Sequence, residues 1–181
     1  MMVLRVVPAM LLILLSGCGQ LSNVRSFSTA YTSPQAGETA RLRVVSDGMV
    51  RAVPGRDCLD WNSPGAGVMV SAQSGFTDRN DERLGMPGSA QQWPGVVSSE
   101  LVIPANKPIA FHYLAQLQFS RRCFNSLTFV PLPGMDYVLQ ASTSGECLIE
   151  LDELRAGDGR LVAVEAGRVG KASMCNAMDN F

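Results

Sequence analysis

Few residues in this chain have side chains that could do chemistry: five cysteines, a single histidine and scattered carboxylates. Cys18 stands apart near the start, which leaves Cys58, Cys123, Cys147 and Cys175. None of them forms a Cys-x-x-Cys pair and one histidine cannot complete a mixed set, so a tetrahedral zinc site fits poorly. An even count reads instead as two disulfides formed in an oxidising compartment. His112 could serve as a general base. It sits between Phe111 and Tyr113 in an apolar run of strand character, so its side chain points opposite to theirs, and a satisfied strand histidine is the expectation. No Gly-x-Ser-x-Gly elbow is present to supply a hydrolase serine. Asp78, Asn80 and Glu82 alternate as calcium ligands would, but Arg83 occupies the position that needs glycine and Ser89 the one that needs a bidentate acid. A solvated loop of mixed charge is the reading that remains.

Cys18 has a different setting. One basic residue, Arg5, precedes an apolar run over 6–15 that is too short to span a bilayer, which takes about 20 residues. It matches the hydrophobic region of a secretory signal. Leu15-Ser16-Gly17-Cys18 follows and resembles the lipobox of bacterial lipoproteins. That resemblance covers only the first 18 residues. It implies a diacylglyceryl thioether on Cys18, cleavage before it and acylation of the new amino terminus. Several acyl chains hold a protein stably to lipid, where one is marginal. Gly19, rather than Asp, follows the cysteine, which in the sorting rule of these lipoproteins implies the outer membrane. The partner so implied is membrane lipid.

Residues 18–181 make one domain of ordinary size. Charged residues are 17% of the chain, below the usual ~25%, and the formal charge is −1. Such a balance gives no electrostatic case for nucleic acid. Neither a phosphate-cradling glycine loop nor a dinucleotide fingerprint occurs, so no cofactor is expected.

The elements that must position these residues read as strands. Residues 18–38 are rich in Ser, Thr and Gln and read as a tether behind the lipid, with an extra strand through Val24, Phe27 and Tyr31 as the alternative. From Thr39 onward, short alternating runs follow one another. Asp47-Gly48 suggests a type I′ turn joining two of them as a hairpin. Residues 73–95 form the longest irregular stretch, of a length often functional in compact domains. Its Met86 and Trp93 either contact a partner or tuck under the loop. The best helical candidate is short, at 150–156. Eight or nine strands with Gly/Pro turns predict an all-β antiparallel sandwich over 39–181, with a small β-barrel as the alternative.

Two stretches carry a further likeness. Pro104-Ala105-Asn106-Lys107-Pro108, and the run from Phe129 through Pro133 and Gly134 to Tyr137, resemble small proteobacterial envelope lipoproteins with transthyretin-like or immunoglobulin-like sandwiches. This implies a fold class and no activity.

For the disulfides, strands flanking the Pro-Gly turn at 133–134 would pair as a hairpin. Centred near Met135, it would set Cys123 against Cys147 and leave Cys58 for Cys175. The competing pattern is Cys58–Cys123 with Cys147–Cys175. The functional expectation is a non-enzymatic envelope lipoprotein that meets another envelope protein. Rivals are a binder of a small ligand or glycan through the 73–95 loop, and a cell-wall enzyme using His112 or the loop carboxylates.

Overall fold

The computed structural model describes residues 27–88, 94–116, 122–144, 147–155 and 159–176. Among these residues ten strands form two five-stranded sheets. The first sheet has the order β4 (Val97–Pro104), β1 (Thr39–Ser46), β7 (Asp136–Ser142), β8 (Leu148–Leu154), β9 (Leu161–Ala163). The second has the order β10 (Val169–Gly170), β6 (Arg122–Phe129), β5 (Ile109–Gln116), β2 (Met49–Pro54), β3 (Gly67–Ser71). The sheets stay open at both edges, so the fold is a β-sandwich and not a barrel. Every pairing within the sheets is antiparallel except β1 with β7. Residues 150–156, read as a short helix, begin instead inside β8: strand pairing to β7 outweighs the weak three-residue spacing of Leu151 and Leu154.

Alternation explains the core. Leu42 and Val44 of β1, Leu101 and Ile103 of β4, and Tyr137 and Leu139 of β7 face Val50, Phe111, Tyr113 and Phe129 of the other sheet. Phe129 meets Tyr137 edge-on at 5.0 Å and Phe111 at 6.0 Å. These rings fill the space between the sheets and supply much of the apolar burial.

Asp47 and Gly48 do not make a hairpin. Neither has the positive φ of a type I′ turn, and β1 and β2 lie in different sheets. The pair forms a corner instead. The Asp47 carboxylate accepts hydrogen bonds from the Tyr113 hydroxyl, from the Thr143 amide at 2.8 Å and from the Thr143 hydroxyl at 2.7 Å. Glycine is required at 48 by close approach, because a Cβ there would run into the Leu114 carbonyl oxygen.

Both disulfides are those expected, Cys58–Cys175 and Cys123–Cys147. The route to the second differs from the expectation. β6 pairs with β5 and β10, while β7 pairs with β1 and β8, so 130–135 carries the chain from one sheet to the other. Cys123 on β6 and Cys147 at the mouth of β8 therefore join the two sheets across the core. Cys58–Cys175 fastens the C-terminal segment beneath the loop after β2, where Leu59 and Met174 bridge in parallel.

Residues 29–32, read as part of a tether, pack on the domain instead. Tyr31 is buried, its amide donates to the Val68 carbonyl at 2.8 Å, and its hydroxyl donates to the Val102 carbonyl. Residues 29–32 thus line the free edge of β3. Within 73–95, residues 81–82 do the same for β4: the Asp81 amide donates to Ser98 and the Glu100 amide to Glu82. A buried ion pair holds the rest of this loop down. Arg43 binds Glu100 at 2.7 Å and also donates to the carbonyls of Met86, Pro87 and Gly88. These segments cover the outer edges of β3 and β4, whereas β9 and β10, only three and two residues long, pair with just part of β8 and β6.

Candidate functional site

The outer face of the second sheet is built in rows across β2, β5 and β6. One row is Arg51, His112 and Ser126; the next is Met49, Leu114 and Phe124. A third row, with Val53 and Ala110, lies under Leu59, Ala66, Ala172, Trp61 and Met174. The Cys58–Cys175 region therefore covers one end of the face and leaves the other open.

The middle row is sealed by aromatic rings. Arg51 is buried, with its guanidinium 3.8 Å from the Trp61 ring centre and 4.2 Å from that of Phe27. Such stacking stabilises a desolvated cation by about 2 kcal/mol or more. Burial pushes the Arg51 pKa down to about 9, so the side chain is still charged at neutral pH. Its Nη2 donates to His112 Nδ1 at 3.0 Å. Because a guanidinium has no acceptor, the imidazole proton must sit on Nε2. Burial, and then the Arg51 charge, push His112 down to about 3. Phe124 stacks on the imidazole at 6.1 Å and Trp61 tilts against it at 5.9 Å. A general base should titrate near the working pH and offer a free lone pair. In this placement His112 has its Nδ1 taken by Arg51 and titrates well below neutral pH.

The next row floors an open cavity of about 510 Å³. Met49, Leu114 and Phe124 form its base, and Phe27 and Phe76 its wall, with their ring centres 6.3 Å apart. Gln73, Gln116 and Arg122 supply the polar rim. Phe124 and Phe76 are exposed at 53% and 38%, so apolar surface here faces solvent.

Other residues singled out in the sequence lie elsewhere. Asp78 accepts from the Asn80 amide, the Asn80 side chain is bonded to Ser71, and Glu82 pairs with Arg79 at 2.5 Å. These groups serve the covered β4 and β3 edges rather than His112. Among the described residues no three metal-ligating side chains gather. Met86, offered as a partner contact, is turned inward against Val138 and Leu154 on the outer face of the first sheet, because the Arg43–Glu100 pair pulls its backbone down. Trp93 and Cys18 lie outside the described residues.

Sequence reasoning missed Arg51, Phe27, Phe76 and Phe124. A period-two signal was present in Met49-x-Arg51 and His112-x-Leu114, but only the pairing of β2, β5 and β6 turns it into one surface. No protein-family model matches this chain, and no curated protein matches it.

Proposed function

We propose that this chain is an exported, non-enzymatic binding domain, tied to the outer membrane by lipid on Cys18, that holds an apolar ligand in the Phe27–Phe76–Phe124 cavity. The open aromatic cavity carries this reading. Its volume of about 510 Å³ lies within the range of roughly 300–1,000 Å³ typical of small-molecule sites, and its lining is apolar with a few polar groups at the rim. The start of the 73–95 loop contributes through Gln73 and Phe76. Two observations support this over a partner docked at the 73–95 loop: segments of the chain cover the outer edges of β3 and β4, and Met86 is turned inward. The neutral, stacked His112 supports a role without catalysis.

The test is a titration of the mature chain, carrying Cys18→Ser for solubility, with the neutral fluorophore N-phenyl-1-naphthylamine. Saturable one-to-one enhancement, lost in Phe124→Ser and kept in His112→Gln, is the expected result. An absent signal, or one indifferent to Phe124→Ser, overturns the reading. In that case the second route, capture of an envelope protein by crosslinking from intact envelopes, becomes the surviving account.

A further inference from the structure

The rim of the cavity has a sign. Arg122 opens β6 directly across from Gln116 at the end of β5, so a guanidinium and a carboxamide stand side by side above the apolar floor. Among the described residues no carboxylate lines the cavity. None of the ion pairs among the described residues engages Arg122. A second guanidinium, that of Arg51, lies behind the Phe27 wall. The apolar floor and the cationic rim meet at one opening, as they would for a molecule apolar at one end and anionic at the other.

We propose that the cavity takes an anionic amphiphile, its apolar body against Phe27, Phe76, Leu114 and Phe124 and its carboxylate or phosphate head on Arg122 and Gln116. This assignment rests on the binding role proposed above and adds the class of ligand. Guanidinium groups favour such heads because their paired N–H donors match two oxygens at once. Gln116 and Gln73 can donate to the same oxygens through their amide nitrogens. A cationic head would meet Arg122 with no compensating acid in the lining. The anion could belong to a free fatty-acyl chain or to an anionic membrane lipid, since both present the same chemistry.

Two fluorescent probes with one body separate head from tail: 11-(dansylamino)undecanoic acid and its neutral amide, titrated into the mature Cys18→Ser chain at low ionic strength. The acid should bind about tenfold more tightly than the amide, and added salt should narrow the gap. Arg122→Gln should remove the preference, and an unchanged urea-unfolding midpoint should show that the variant is folded. Equal binding of acid and amide overturns the anionic assignment while sparing the apolar-cavity reading. Failure of both probes overturns the two together. A preference that survives Arg122→Gln also refutes the assignment. Displacement of the bound acid by monomeric dodecanoate identifies a free amphiphile as the source, and displacement only by phosphatidylglycerol vesicles identifies membrane lipid. If neither displaces it, the proposal fails.

Discussion

Removing the Glu100 carboxylate should loosen the whole loop that lies over the first sheet. Oε1 takes two bonds from Arg43, at 3.0 and 2.7 Å, and Oε2 takes the amides of Leu84 at 2.7 Å and Met86 at 3.2 Å. Both side chains of the pair are buried, with 6% and 5% exposed. In Glu100→Ala, Arg43 keeps its three carbonyl acceptors but loses its counter-charge, and two loop amides lose their acceptor. Breaking one side of a buried ion pair costs about 3–5 kcal/mol. The orphaned amides can recover water, since the loop is at the surface, so no further term is added for them. For a domain of this size the loss corresponds to roughly 6–20 °C in Tm. Urea unfolding followed by tryptophan fluorescence measures it, and hydrogen exchange at the Leu84 and Met86 amides should accelerate in the variant. A cost below about 1 kcal/mol with an unchanged m value would refute the account of how the loop is held.

The same group sets an acid limb. Burial alone would raise the Glu100 pKa, but the bonds from Arg43, Met86 and Leu84 outweigh it and hold the group below its ordinary 4.5. A lowered folded pKa contributes stability that is complete above the unfolded value and lost as pH falls through the folded one. Unfolding free energy should therefore decline below about pH 4.5, and Glu100→Gln should flatten that decline.

Three other outcomes follow from the described geometry. Replacing Cys58 and Cys175 by Ala opens a closure of 117 residues and should cost about 5 kcal/mol in the chain-entropy account, against about 3.4 for Cys123 and Cys147 with 24, compared by denaturation of the two double variants. The His112 ring protons should show no NMR titration between pH 5 and 8, because the imidazole is held neutral down to about 3; an inflection near 6.5 would contradict its placement under Phe124 and Trp61. Cys18→Ala should abolish labelling by a fatty-acid analogue and move the protein out of the membrane fraction, and retained labelling would remove the basis for anchoring.

Strand identity was legible where alternation is strong, as in Arg41-Leu42-Arg43-Val44, because one face of each strand must be apolar. Strand partnership was not. Asp47-Gly48 carries a hairpin signature, yet Tyr113 and Thr143 capture the Asp47 carboxylate and turn the chain into the other sheet. Cys123 and Cys147 were matched by placing them on neighbouring strands, and they meet because they face each other through the core. Tyr31 sits in a polar stretch whose composition says tether, but a hydroxyl that reaches the Val102 carbonyl and an amide that reaches Val68 outweigh composition. The cavity was illegible for a related reason. Phe27, Phe76 and Phe124 are far apart in sequence, and nothing local marks that three strands and two loops bring them together.

The placement of β1 bears on when this molecule can begin to fold. Its nearest hydrogen-bonded neighbours are β4, where Ser46 meets Val97, and β7, where Arg41 meets Asp136. The first strand to emerge thus has no neighbour to pair with until most of the polypeptide has followed it. Long-range pairings of this kind form slowly, because distant segments must be brought together before any contact rewards them. A chain built this way can pair β2 with β3 early but completes its first sheet late. That sheet closes only once β7 has arrived, so the second half of the polypeptide decides when the sandwich forms.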